Sequence, residues 1–181
     1  MDEAASPRRL WRGWLRRALL VIPAMLLLGL LSARLGDSGP GNFWLFRLAK
    51  PALMPPGWVF PAVSSILYMM TGGAFAFILD ARGAKGRAVA ALFFLVQLAL
   101  SLAWPPVFFA MHRTMLGLGL ILAALLWAGV ATLIFWHIRR IAALLMLPWL
   151  GWLLFVGLVD WQVHGLNKLA SSTANPQIVI H

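Results

Sequence analysis

The sequence predicts an all-α membrane protein, folded as a bundle of five transmembrane helices. Of its 181 residues, 62% are hydrophobic and only 11% are charged. A water-soluble domain of this size would lack a polar coat with that balance, so lipid must cover much of its surface. The apolar runs are continuous rather than alternating, which favours helices over the strands of a barrel.

The apolar runs are compared with the ~20 residues that a helix needs to cross the hydrocarbon core. The first run is the shortest, and Arg16, Arg17 and Arg34 can extend from its ends toward the headgroups. The later runs have no formal charge at neutral pH as far as Val159. The predicted helices cover residues 18–35, 58–79, 88–111, 115–136 and 141–164.

Two flanking segments enclose a membrane domain of residues 18–167. Residues 1–17 are basic, and residues 168–181 are expected to form a mobile polar tail. Because arginines precede the first apolar run, a signal peptide is an alternative interpretation of that run. No small-x-small cleavage site follows cleanly, and bulky Arg34 and Leu35 end the run. We therefore expect a retained helix.

The distribution of lysine and arginine predicts the orientation of the bundle. Ten of these residues fall on the side of the N-terminus: Arg8, Arg9, Arg12, Arg16, Arg17, Arg82, Lys85, Arg87, Arg139 and Arg140. Five fall on the other side: Arg34, Arg47, Lys50, Arg113 and Lys168. We therefore expect a multi-pass protein of a bacterial cell membrane with a cytoplasmic N-terminus. Anionic headgroups explain the net charge of +10 better than nucleic acid does, because no basic stripe or recognition module accompanies it.

A segment rich in proline and aromatic residues joins the first two predicted helices. It spans residues 36–57 and includes Trp44 and Lys50. Four prolines follow Trp44 in this segment or just after it: Pro51, Pro55, Pro56 and Pro61. Proline fixes its own φ and biases the preceding residue away from helix. We therefore expect a rigid lid, without secondary structure, over a cavity between the helices.

Three predicted helices carry polar and aromatic residues on one face. The third has Gln97, Ser101, Trp104 and Phe108 at helical spacing. The second has Ser64 and Tyr68, and the fifth has Trp149, Trp152, Val156, Asp160 and His164. Lipid offers no hydrogen-bond partner, so these faces should turn inward and line a flat apolar cavity. A planar aromatic ligand would stack there, with acidic substituents reaching Lys50 or Arg47.

Each of these residues also has a purely structural interpretation. In an arbitrary membrane protein, deep tryptophans are more often packing residues than ligand contacts. Asp160 needs a partner inside a membrane span, and His164 lies one turn later on the same face. A hydrogen-bonded pair near the membrane boundary is favoured there over a proton-linked gate or a ligand contact. A metal site is not favoured there, because the pair supplies only two ligands, no third is close in sequence, and the chain has no cysteine.

The lid segment and the helices after it resemble the TspO/translocator protein family, the tryptophan-rich sensory proteins, over residues 44–167. The matching lid residues are Trp44, Leu48, Lys50, Pro51, Pro55 and Pro56, and those of the second helix are Val63, Leu67 and Tyr68. The third helix matches at Gln97, Leu98, Leu100, Ala103, Trp104, Pro106, Phe108 and Phe109. The fifth matches at Leu147, Pro148, Leu150, Trp152, Phe155, Leu166 and Asn167. The resemblance implies a porphyrin or haem-like ligand, with no obligatory cofactor.

The sequence departs from the family pattern at several of these positions. The replaced residues are Leu45, Leu53, Ser64, Ser101 and Asp160. Ser64 stands where the family has a tryptophan that faces the one at Trp152, a pair implicated in porphyrin binding and photochemical breakdown. The family's sterol motif also lacks its tyrosine within residues 158–168. The resemblance therefore implies ligand binding more than photochemistry.

The expected function is binding of porphyrins or similar flat amphipathic ligands by a receptor, carrier or sensor. A light-dependent porphyrin-degrading enzyme and a membrane regulatory partner are the alternatives, and no catalytic constellation is found. The expected ligand-binding residues are Trp44, Lys50, Pro51, Ser64, Tyr68, Gln97, Ser101, Trp104, Trp149, Trp152, Val156 and Asp160.

Two further patterns concern helix packing. Pro105, Pro106 and Pro148 interrupt backbone hydrogen bonding and predict kinks that shape the bundle and make room for a ligand. Small residues also recur on one face of the fourth helix, at Ala124, Ala128 and Thr132. Such a stripe predicts a helix contact, either within the monomer or across a homodimer.

Overall fold

The computed structural model describes the backbone of residues 7–39 and 41–173, and the side chains of residues 13–39 and 41–168. These residues form six α-helices and no strand. The helices are α1 (Pro7–Leu35), α2 (Phe43–Arg47), α3 (Val59–Asp80), α4 (Arg87–Pro105), α5 (Thr114–Ile138) and α6 (Arg140–Thr173). A single π-helical turn, Pro106–Ala110, continues α4.

Five of these helices are long and apolar enough to cross a membrane. The spans are Gly13–Leu35, Val59–Asp80, Arg87–Ala110, Thr114–Ile138 and Arg140–Lys168. Large apolar side chains such as Leu20 and Leu126 lie on the outside of the bundle. A surface of this kind needs hydrocarbon rather than water around it. The predicted all-α, five-helix membrane bundle is confirmed.

The first and last helices, α1 and α6, are longer than the apolar runs predicted. α1 begins at Pro7 rather than near residue 18, because arginine is a good helix former and proline is well placed in a first turn. α6 continues to Thr173, since neither glycine nor proline follows Asn167 before that point. The first residues of the predicted mobile tail are therefore helical. Its last part, residues 174–181, lies outside the described residues.

The helices surround the interior in the order α1, α3, α6, α5, α4. α3 packs between α1 and α6, and α5 packs between α6 and α4. In the core, Phe94 stacks on Phe75 at 4.3 Å and on Phe135 at 6.0 Å between ring centroids. The small-residue stripe of Ala124, Ala128 and Thr132 is buried in this interior. That stripe therefore serves helix packing within the single chain.

The α1–α4 contact closes the ring at the end where α4 is broken by proline. Pro106 has no N–H, so it cannot donate to the carbonyl of Leu102, four residues earlier. That carbonyl accepts a hydrogen bond from Ser32 Oγ of α1 at 2.5 Å instead. A π-helical turn, Pro106–Ala110, follows directly, at the position where the two prolines predicted a kink.

At the opposite end of the bundle, α1 is fixed to α3 by polar contacts. Arg17 forms an ion pair with Asp80, and Trp14 Nε1 donates to the carbonyl of Gly73 at 3.0 Å. Gly13 allows this approach, because a Cβ there would collide with the carboxylate of Asp80. The two helices therefore meet tightly at this end.

Candidate ligand-binding site

The lid contains a short helix, contrary to the expectation of a lid without secondary structure. α2 is capped by Asn42, whose Oδ1 accepts a hydrogen bond from the N–H of Leu45 at 2.8 Å. The cap satisfies one of the free N–H groups at the helix start. Within the lid, Pro40 precedes α2 and Pro51, Pro55 and Pro56 follow it, so no proline falls inside its single turn.

Two contacts fix this lid to the bundle. The side chain of Asn167, on α6, donates to the carbonyl of Ala49 at 3.1 Å and accepts from its N–H at 3.0 Å. Trp44 stacks on His112, with ring centroids 4.6 Å apart, and meets Phe108 edge-on at 5.5 Å. Trp44 therefore anchors the lid, whereas the sequence predicted a ligand contact there.

Beneath the lid lies a cavity of about 540 Å³. Nine of the twelve predicted binding residues line it: Lys50, Pro51, Ser64, Tyr68, Ser101, Trp104, Trp149, Trp152 and Val156. The other three, Trp44, Gln97 and Asp160, are not among the lining residues. The volume falls within the range of about 300–1,000 Å³ that is usual for small-molecule sites.

The wall that α1 contributes to the cavity was not predicted from the sequence. Leu26, Gly29, Leu30 and Ala33 line the cavity on that side. They are apolar or small, like the residues of α1 that face lipid, so composition alone could not distinguish the two faces. Phe60 and Phe109 were missed for the same reason.

The indole N–H groups of Trp104 and Trp149 are hydrogen-bonded to side chains behind the cavity wall. Trp149 Nε1 donates to Gln97 Oε1 at 2.9 Å, and Trp104 Nε1 donates to Asp160 Oδ2 at 3.0 Å. Gln97 and Asp160 are each 1% exposed. These two polar residues therefore hold the indoles in place, and the rings offer the cavity apolar surface rather than a hydrogen-bond donor.

The spacing along α6 predicted a pair between Asp160 and His164, and the structure does not form it. His164 Nδ1 is hydrogen-bonded to Thr114 Oγ1 of α5 at 2.9 Å, and Asp160 turns to Trp104. Spacing reports neighbours on one helix, and here side chains from adjacent helices provide the partners. Asp160 Oδ1 is buried without a hydrogen-bond partner in the part of the chain that the structure describes.

The remaining polar groups of the cavity lie at two levels. Lys50 lines the cavity at the lid, with its Nζ 4.7 Å from the ring centroid of Phe46. Arg47, the other cation predicted at the mouth, lies over Phe43 instead and is not a lining residue. Ser64 and Tyr68 line the cavity from α3, three and seven residues after Pro61.

The lining of the cavity combines aromatic side chains with a lysine at the lid. Where side chains are described, no three His, Asp or Glu residues come close enough to hold a metal ion. Aromatic faces with a lysine at one end can accept a flat apolar molecule that carries an acidic group. That chemistry fits the ligand class expected from the sequence.

Known proteins share this sequence pattern. Residues 20–166 match the model of the TspO/MBR family. The chain is 33% identical over 129 residues to "Tryptophan-rich protein TspO" of Chlorobaculum tepidum, covering 71% of this chain and 82% of that protein. It is 32% identical over 127 residues to "Protein CrtK" of Rhodobacter capsulatus, with coverages of 68% and 78%. It is 34% identical over 140 residues to "Translocator protein" of Bos taurus, with coverages of 74% and 80%.

Proposed function

Because the chain belongs to the TspO/MBR family, we propose that this integral membrane protein binds a porphyrin or a similar flat amphipathic molecule beneath its lid. It acts as a receptor, carrier or sensor of that ligand. The observation that carries the proposal is the cavity of about 540 Å³, walled by Trp104, Trp149 and Trp152 and bordered by Lys50.

The walls favour a planar ligand for a physical reason. Trp104 and Trp149 have their N–H groups satisfied elsewhere, so their rings can stack on an aromatic macrocycle at no cost in hydrogen bonding. Trp152 is supported by Phe60 at 5.7 Å and Phe155 at 5.4 Å between ring centroids. A rigid aromatic surface loses little conformational entropy when a ligand binds.

Lys50 supports an amphipathic ligand rather than a pure hydrocarbon. Its ammonium group is exposed at the lid and borders the cavity. A carboxylate of the ligand placed there would keep contact with water and with a cation while the ring is buried. This arrangement avoids the cost of moving an unpaired charge into the membrane interior.

The proposed orientation puts the lid on the non-cytoplasmic side of a bacterial cell membrane. Its support is the excess of lysine and arginine at the other end of the bundle, ten against five. The ligand would then enter from outside the cytoplasm or from the outer leaflet. Accessibility of a single cysteine introduced at Gly41, in the lid, to a membrane-impermeant thiol reagent tests this orientation.

Quenching of tryptophan fluorescence by protoporphyrin tests the proposed function. Trp152→Phe should weaken binding, because Trp152 lines the cavity. Trp136→Phe is the matched control, since that indole is exposed at the far end of α5. An unchanged titration in the first variant, or an equal loss in both, would count against the site.

A further inference from the structure

Two hydroxyl groups in the cavity have no hydrogen-bond partner among the described residues, those of Ser64 and Tyr68. The neighbouring hydroxyls are engaged: Ser101 Oγ donates to the carbonyl of Gln97, and Ser65 Oγ to that of Pro61, each at 2.8 Å. Both unpartnered groups belong to α3 and both line the cavity. They are therefore available to a ligand.

Tyr68 is the more constrained of the two. The residue is only 9% exposed, and its ring lies 5.5 Å from that of Trp149 between centroids. On its other side it packs against Gly29, where a Cβ would collide with the ring. The hydroxyl oxygen is nevertheless not enclosed by protein. Among the described side chains, the polar atom that is both fully buried and without a hydrogen-bond partner is Asp160 Oδ1, so the unpartnered oxygen of Tyr68 is not fully buried. The ring thus holds an unsatisfied hydroxyl at the cavity surface.

Along α3, Tyr68 lies deeper in the bundle than the lid, which carries Lys50. Ser64 and Tyr68 are four residues apart, so they occupy one face of α3. Tyr68 follows Pro61, which lines the cavity next to the lid, by seven residues, or about 10 Å along the helix axis. Lys50 belongs to the lid itself. The cavity therefore has a cation at the lid and two unpartnered hydroxyls along α3, the more distant of them on Tyr68.

We propose that Ser64 and Tyr68 form a subsite for a neutral oxygen group, a hydroxyl or a carbonyl, on the edge of the ligand opposite its acidic groups. This inference rests on the proposed function. A hydroxyl can both donate and accept, so the pair can satisfy a ligand hydroxyl completely. The indole N–H of Trp152, also a lining residue, can only donate.

Two porphyrins differ at the required position. Haematoporphyrin and mesoporphyrin carry the same two propionates, and on the opposite half of the macrocycle the first has hydroxyethyl groups where the second has ethyl groups. The measured quantity is the ratio of their dissociation constants, mesoporphyrin over haematoporphyrin, from fluorescence quenching of the purified full-length protein. Comparing the ratio between variants cancels the different hydrophobicity of the two ligands.

We expect the double variant Ser64→Ala/Tyr68→Phe to lower this ratio about 2- to 10-fold, the effect of losing one typical hydrogen bond. Both substitutions keep the carbon framework of the side chain. Ser65→Ala is the matched control, because that hydroxyl already bonds to its own helix, and its ratio should equal that of the wild type. Should the double variant not fold, Ser64→Ala alone should lower the ratio in the same direction.

The outcomes separate this inference from the proposed function. If both porphyrins bind the wild-type protein and the ratio is the same in the α3 variants, the subsite is refuted and porphyrin binding stands. If neither porphyrin binds the wild-type protein, the proposed function is refuted and the subsite with it. A ratio that falls equally in Ser65→Ala also refutes the subsite.

Discussion

The hydrogen bond between Trp149 and Gln97 should measurably stabilise the bundle. It joins α6 to α4 over 2.9 Å, and its two side chains are 3% and 1% exposed. Gln97→Met keeps a similar volume and removes the acceptor, which leaves the indole N–H without a partner. An unsatisfied buried donor costs about 1–3 kcal/mol, so we expect the free energy of unfolding to fall by that amount.

A double-mutant cycle with Trp149→Phe isolates the hydrogen bond from the lost packing. Hydrogen bonds between membrane helices average about 0.6 kcal/mol in such cycles and reach about 1.7 kcal/mol. We expect a coupling energy toward the upper end, because both partners are buried and the distance is short. Reversible unfolding in mixed micelles, followed by circular dichroism, provides the four free energies.

Gln162 provides the control for this cycle. It lies on the same helix as Trp149, is half-buried, and has no hydrogen bond to Trp149. Gln162→Met should therefore show no coupling with Trp149→Phe. A coupling energy of zero for the Gln97 pair, or one equal to that of the control pair, would refute the claim that Gln97 positions the indole.

Three further predictions concern the lid, the cavity wall and photochemistry. Asn167→Leu removes both hydrogen bonds to the lid backbone and should speed protoporphyrin release about 5- to 100-fold in stopped-flow measurements, whereas Gln162→Leu should not. Asp160→Asn retains an acceptor for the indole of Trp104 and should bind protoporphyrin like the wild type. Asp160→Leu removes the acceptor and should weaken equilibrium binding about tenfold. Equal affinities of the two variants would contradict the role of Asp160 in holding Trp104. With Ser64 in place of the family's tryptophan, illuminated protein should not turn protoporphyrin over, and a new absorption band that grows with repeated turnover would contradict the expectation.

The fold followed from the sequence because hydrocarbon imposes a simple length requirement. Uncharged runs such as the one ending at Val159 had to cross the membrane as helices, and the structure has helices there that are long and apolar enough to do so. The ends of α1 and α6 did not follow, since nothing in an apolar run shows how far a helix continues into the headgroups. The single turn of α2 was not predicted, because the prolines that come after it indicated a segment without secondary structure.

The site was predictable where polar residues recur on an inward face. Ser64, Tyr68 and Trp152 line the cavity because lipid cannot satisfy such groups. Which residues sit in the wall and which stand behind it depends on contacts between helices. The partners of Asp160 and Gln97 come from positions 56 and 52 residues away, and no spacing rule along one helix contains that information.

The location of a bound porphyrin would show directly whether the cavity beneath the lid is the binding site. Crystals grown with zinc protoporphyrin would show the metal as an anomalous scattering peak, independent of how the ring is built. We expect one peak per chain beneath the lid, between Trp104, Trp149 and Trp152. Peaks found only on the lipid-facing surface, beside indoles such as Trp58 or Trp161, would contradict this expectation.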